Sequence, residues 1–171
     1  VKNDNLFGPD KDGYNEEVGA VLQENNSGAI IGFVGGREEG NPDKQFNHAT
    51  QAKRQTGSTM KPLLGYAPAM EIGKTQPGLV IPDTPMNYAN GDPINNFDFG
   101  YKGLQSVRKS LAQSRNIPAV RSYQSVPGDL ANETLQNLGI PMPKDGLVES
   151  SVLGSLNMTV EENTNAYSTF G

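Results

Sequence analysis

Ser58-Thr59-Met60-Lys61 places a hydroxyl and an amine three residues apart. If that stretch is helical, the two side chains share one face with Cβ atoms about 5–6 Å apart, so the lysine can reach the serine. An amine is a base only when neutral, and a lysine therefore needs a proton affinity well below its reference pKa of about 10.4. Burial pushes it down, and so does the positive end of a helix. The same helix start offers unpaired backbone amides to an oxyanion. Farther along, Ser114-Arg115-Asn116 supplies a second hydroxyl and an amide. Alone, each motif is commonplace: a Ser-x-x-Lys spacing usually marks a solvated helix start, and Ser and Asn are ordinary turn residues. Together they point to a serine nucleophile with a lysine base.

The elements that must position these groups are legible in outline. Val18–Glu24 and Ala29–Val34 are apolar, partly β-branched runs separated by Asn25-Asn26-Ser27-Gly28, which predicts a hairpin. From Gly35-Gly36 a polar stretch, Arg37 to Gln55, reads as loop. Met60, Leu63, Leu64 and Ala67 form one helical face. Pro62 fits only a first turn, so this helix begins near Ser58, and Pro68 should kink or end it. Leu104, Val107 and Leu111 make a second helical stripe, starting near Gly103. Ile117, preceding Pro118, should break the chain out of the helix and leave Ser114 and Asn116 on a connection, with Pro118 opening the next helix. Asp129 as N-cap, Leu135, Leu138 and Gly139 as the residue after the C-cap outline another helix. Thr159 and Glu162 have capping-box spacing for a last one.

Composition narrows the function classes. At 171 residues the chain is the size of one ordinary domain, and no repeat or long linker divides it. Its net charge of −5, with no basic stripe, argues against nucleic acid or an anionic membrane as partner. No run approaches the roughly 18 apolar residues of a membrane span, and Val1-Lys2-Asn3-Asp4 has no signal-peptide character. Any anchor is therefore expected outside this chain. With no cysteine there is no disulfide, zinc finger or thiol nucleophile. The one histidine, His48, sits in a polar run and reads as a surface or hydrogen-bonded residue, so neither a metal nor a cofactor is expected. Leu, Ile, Val and Phe are about 22% of the chain, just above the roughly 20% below which chains tend to stay disordered. The 20 Gly and 12 Pro favour short elements and many turns.

Longer stretches carry a resemblance. Gly35-Gly36-Arg37, Phe46-Asn47-His48-Ala49-Thr50 and Lys53-Arg54-Gln55-Thr56-Gly57-Ser58-Thr59-Met60-Lys61-Pro62-Leu63 resemble the approach to the active serine in class A, bifunctional penicillin-binding proteins. So do Gln113 to Val120, Leu153-Gly154-Ser155, Met158-Thr159 and Ala166 to Phe170. The matching stretches run in the family's order over about residues 18 to 170. The resemblance implies an α/β (α+β) fold, an antiparallel sheet packed against helices as in penicillin-binding proteins and serine β-lactamases. It implies a D,D-transpeptidase that cross-links peptidoglycan stem peptides through a serine acyl-enzyme and is trapped by β-lactams. Ser58 would be the nucleophile and Lys61 its base. Ser114 would relay a proton, Asn116 would hold Lys61 and the substrate amide, and the Ser58 backbone amide would be half of the oxyanion hole. The stem peptide and β-lactams are the implied ligands, and the extracytoplasmic face of the bacterial membrane is the implied location.

Departures from the family pattern shape the expectation. The Lys-Thr/Ser-Gly motif is absent, since Gly73-Lys74-Thr75-Gln76 lacks its glycine and lies before Ser114. The glycosyltransferase domain is absent as well. Residues 1–171 are thus expected to be the N-terminal part of one transpeptidase domain, completed by further residues on this or a separate polypeptide. Thr56 stands where the family usually has proline, with a small effect expected. Two other readings compete. A serine β-lactamase needs a carboxylate to activate water, for which Glu133 reads better as part of a solvated helix face and Glu149 lacks a partner asparagine. A non-catalytic, transpeptidase-like scaffold would account for the missing motif.

Overall fold

The computed structural model describes Phe7, residues 16–37 and residues 46–171; residues 38–45 of the expected polar loop lie outside that set. The chain forms two compact units, residues 1–54 with 158–171 and residues 55–157. The short strands β3 (Arg54–Gln55) and β6 (Asn157–Met158) mark the places where the backbone passes from one to the other.

In the first unit β1 (Ala20–Gln23) and β2 (Ile30–Val34) pair antiparallel, with Ala20 opposite Val34 and a register shift between Leu22 and Gln23. The expected hairpin is present, closed by Glu24 and Ala29 across the Asn-Asn-Ser-Gly turn. Leu22 on one face of the hairpin, and Ile31 and Phe33 on the other, are each more than half exposed. The last helix, α5 (Val160–Tyr167), packs against β1. Its capping box forms as expected: Thr159 Oγ1 accepts from the Glu162 amide and the Glu162 carboxylate accepts from the Thr159 amide. His48 is half-buried, with Nε2 3.9 Å from Glu17 and its ring edge-on to Phe46.

The second unit carries the motifs. A 3₁₀ turn at Gly57–Thr59 leads into a π-helical segment, Lys61–Tyr66, and then α1 (Ala67–Glu71). The helix therefore does not stop at Pro68. The Ala67 amide bonds back to the Pro62 carbonyl in the wider π pattern, and Pro68 falls in the first turn of α1, where its missing N–H costs little. Next, β4 (Val80–Asp83) pairs antiparallel with β5 (Gly103–Ser106). Leu104 lies on this strand, 74% exposed, and not on a helix. Its spacing from Val107 and Leu111 fits a helical stripe by coincidence, whereas the helix α2 (Val107–Ala112) starts after Ser106, whose hydroxyl caps the Lys109 amide. The next helix, α3 (Asn116–Gln124), begins two residues before Pro118, so Ile117 is inside it. Pro118 still occupies the first turn; the break from α2 is made at Ser114 and Arg115 instead. In α4 (Gly128–Asn137) Asp129 sits within the first turn and Pro127 holds the cap position, while Gly139 follows the C-cap with φ +67° as expected.

The core of this unit gathers Met60, Leu63, Leu64, Ile94, Val107, Ile117, Val120, Leu135 and Val152, all essentially buried. The π-helical segment packs on α3 and on the 3₁₀ turn Glu149–Leu153. At Gly65 the approach is so close that a Cβ would press on Val152 and the Ala119 carbonyl. The architecture is α/β with antiparallel strand pairs against helices, as the sequence led us to expect.

Candidate active site

Ser58 lies in the middle of the 3₁₀ turn, exposed to solvent, and Lys61 begins the π-helical segment with 1% of its surface exposed. Ser58 is three residues upstream of the buried amine, across the step from the 3₁₀ turn to the π-helical segment. The turn itself is held by tertiary contacts. The Thr56 amide donates to the Leu156 carbonyl at 3.1 Å, and the Gly57 amide donates to the Gly154 carbonyl at 3.2 Å. A proline at position 56 would forgo the first bond. Gly154 is left-handed, with φ +90°, and a Cβ on it would fall on the Gly57 backbone. This close approach fixes the residue next to Ser58, a role that the Leu153-Gly154-Ser155 resemblance does not itself reveal. Gly154→Ala is expected to lower the unfolding free energy by about 1–3 kcal/mol. A thermal melt indistinguishable from the parent's would mean that the turn yields freely.

The α2–α3 junction brings the other motif to the lysine. Arg115 N–H bonds to the Ser110 carbonyl and Ser114 N–H to the Leu111 carbonyl, the pair of bonds that closes a helix with a left-handed residue after its cap. Glycine usually fills that place; here it is Ser114, at φ +52°. The strain, on the order of 1 kcal/mol, turns both the carbonyl and the hydroxyl of Ser114 onto Lys61. Lys61 Nζ donates to Ser114 O at 2.7 Å, to Ser114 Oγ at 3.1 Å and to Asn116 Oδ1 at 2.6 Å. Asn116 Nδ2 donates to the Asn95 carbonyl, which settles which side of its amide faces the lysine. Lys61, Ser114 and Asn116 are thus in direct contact. Ser58 adjoins them along the chain and receives none of the three lysine bonds.

Electrostatics act on the amine. Burial, then the nearby Arg115 guanidinium, lower the Lys61 pKa from 10.5 to about 8. Arg115 is itself buried, and two carboxylates balance its charge: Nε meets Asp83 at 2.8 Å and Nη1 grips both oxygens of Asp98 at 2.9 and 3.0 Å. That grip holds the Asp98 carboxyl near a pKa of about 2. Sequence inspection missed Asp83, Asn96 and Asp98, which lie in a stretch with no motif of its own.

The two carboxylates weighed for water activation are committed elsewhere. Glu149 accepts from the Ala89 amide and the Gln124 side chain, at the edge of a cavity of about 600 Å³ that none of Ser58, Lys61, Ser114 or Asn116 lines. Glu133 is exposed on α4. Among the described residues no three His, Asp or Glu side chains gather as a metal site, and no helix is long and apolar enough to cross a membrane.

Comparisons with known proteins fit this geometry. The family model described as the penicillin binding protein transpeptidase domain matches residues 18–171. Penicillin-binding protein 1A/1B of Bacillus subtilis is 39% identical over 176 residues, covering 99% of this chain and 19% of that protein. Penicillin-binding protein 1A of Streptococcus pneumoniae is 35% identical over 130 residues, 74% of this chain and 18% of that one. The crystal structure of penicillin-binding protein 1A from Haemophilus influenzae superposes with a TM-score of 0.78 at 32% identity, over 90% of this chain and 23% of that chain. The structure of PonA1 from Mycobacterium tuberculosis in complex with penicillin V shares the fold, with a TM-score of 0.74 at 22% identity over 88% of this chain and 42% of that chain. The chain spans about a fifth of the length of the curated relatives it matches.

Proposed function

Because this chain belongs to the penicillin-binding protein transpeptidase family, we propose that it carries the acylating residues of a D,D-transpeptidase that cross-links peptidoglycan stem peptides. The observation that carries this reading is the buried Lys61 amine held by Ser114 and Asn116 at the end of the Ser58 turn. Ser58 Oγ attacks the carbonyl carbon of the D-Ala-D-Ala bond, and its proton passes to neutral Lys61. The tetrahedral oxyanion is held in part by the Ser58 backbone amide. As the C–N bond breaks, a proton moves from Lys61 through Ser114 Oγ to the departing D-Ala nitrogen. The acyl group then leaves Ser58 for the amine of a neighbouring strand.

The hydrogen bonding supports this division of labour. As an ammonium, Lys61 has three N–H groups and three acceptors. Two of them, the Ser114 carbonyl and Asn116 Oδ1, can only accept. Ser114 Oγ can reverse and donate to the neutral amine, so it is the one partner able to relay a proton. Asn116 keeps the amine in place in either state.

The same reading takes the chain as the N-terminal part of one transpeptidase domain, with the Lys-Thr/Ser-Gly strand outside these 171 residues. Support comes from the family match running through both compact units, and from the exposed apolar side chains of the β1–β2 hairpin, Leu22 on one face and Ile31 and Phe33 on the other, which suit a larger shared core. Peptidoglycan stem peptide and β-lactams are its ligands, and the extracytoplasmic membrane face is where such a substrate is met. Labelled penicillin tests the proposal in the full-length protein. Stoichiometric labelling that persists supports a transpeptidase. Loss of label within seconds points to a hydrolase, and no labelling leaves the non-catalytic scaffold.

A further inference from the structure

Behind the Lys61 cluster lies a chain of buried polar groups with one polarity throughout. Asp83 is on the inward face of β4, two residues from Ile81, and is fully buried. One of its oxygens, Oδ2, accepts from Arg115 Nε at 2.8 Å and from the Lys102 amide at 2.9 Å. The other, Oδ1, accepts from Asn96 Nδ2 at 2.8 Å. Asn96, also buried, gives its second amide proton to the Gly100 carbonyl at 2.9 Å and turns Oδ1 to the Asn116 N–H at 2.8 Å.

That last bond matters because the α3 N-terminus lacks a cap of its own. The cap residue is Arg115, whose side chain makes no capping bond and has no acceptor to offer. Asn96 supplies the acceptor from another segment. A carboxylate can only accept, so Asp83 forces the Asn96 amide to present nitrogen on its side and oxygen toward Asn116. Asp83 also grips Arg115, the residue between Ser114 and Asn116. Both neighbours of Arg115 hold Lys61.

Resting on the transpeptidase reading above, we propose that Asp83 and Asn96 are positioning residues for this site: acting through Arg115 and the Asn116 amide, they fix the register of Ser114 and Asn116 on the Lys61 amine. They touch neither Lys61 nor Ser58 and move no proton. Their effect is to hold the α2–α3 junction where the three lysine bonds can form together.

Asp83→Asn keeps the shape and reverses one group. If the new amide offers oxygen to Arg115 and Lys102, its nitrogen opposes Asn96 Nδ2. If Asn96 flips in response, its nitrogen opposes the Asn116 N–H and its oxygen opposes the Gly100 carbonyl. At least one buried group is left unpaired in either case. Asn96→Ala removes the bonds to Asp83 Oδ1, the Gly100 carbonyl and the Asn116 N–H, and leaves the Asp83–Arg115 ion pair intact.

The test is labelled-penicillin acylation in the full-length protein, with the limiting rate constant and the final labelled fraction read separately. A general loss of folding lowers the fraction labelled and leaves the rate of the folded molecules unchanged. Loss of positioning slows the rate at full final labelling. For both variants we expect a limiting rate constant roughly 10- to 100-fold below the parent, with the final fraction preserved. Should Asp83→Asn fail to fold, Asn96→Ala decides alone. Parent rate constants in Asn96→Ala, at full or reduced labelling, overturn the proposal. A parent protein that takes no label overturns the transpeptidase reading itself, and the positioning role falls with it.

Discussion

Ser58→Ala is expected to abolish acylation by penicillin, by a factor on the order of 10⁴ or more, while the protein melts as the parent does. In the proposed mechanism Ser58 Oγ is the atom that forms the acyl bond, and alanine supplies no hydroxyl in its place. Thr59, the adjacent hydroxyl, is tied back to the Thr56 carbonyl at 2.8 Å. Stability should be spared because Ser58 is exposed and its turn is held by backbone bonds from Thr56 and Gly57; exposed substitutions of this kind usually stay within about 0.5 kcal/mol. Mass spectrometry after incubation with penicillin reads the outcome. An adduct on the alanine variant at the parent rate would assign the nucleophile elsewhere.

Lys61→Ala should be nearly as severe, slowing acylation by roughly 10²–10⁴, whereas Ser114→Ala should cost about tenfold, the worth of one hydrogen bond to a charged partner. The pH profile separates base from bystander. With a folded pKa of about 8, the amine is neutral in about one molecule in ten at pH 7, so the parent's acylation rate should climb about tenfold as pH rises through 8 and then level. Lys61→Ala should lose that limb. Equal rates in parent and variant, or a limb that survives in the variant, would remove Lys61 from the base role. Stability follows the same proton. The unfolded lysine binds its proton up to about pH 10.5 and the folded one only to about 8. The unfolded state thus holds more protons in that window, and this residue's contribution to stability rises with pH across it.

Local signals carried much of the fold. The hairpin was readable because two apolar runs flank a turn of Asn, Ser and Gly, and the α5 start because Thr159 and Glu162 satisfy each other's backbone within four residues. Errors came where a distant partner or an unusual local backbone conformation decides. Leu104 fits a helical period, but β5 exists because β4, some twenty residues earlier, offers it a ladder. Pro68 reads as a kink or an end only if the preceding turns are α-helical; the π-helical hydrogen bonding of Lys61–Tyr66 removes the conflict. The Ile117 boundary moved because the break is made earlier, by the left-handed Ser114.

For the site, residue types and order were enough to single out Ser58, Lys61, Ser114 and Asn116, because a hydroxyl, an amine at helical spacing and a relay pair are rare in combination. The sequence by itself determined which chemical groups are available and that the amine needs a lowered proton affinity to act. Only the tertiary structure decided how that affinity is lowered and where the amine points. Its causes are burial under packed helices and the field of Arg115, and its direction is set by a strained serine and by Asp83 and Asn96 behind it. Those are effects of distance and dielectric between segments far apart in the chain, and no local pattern encodes them.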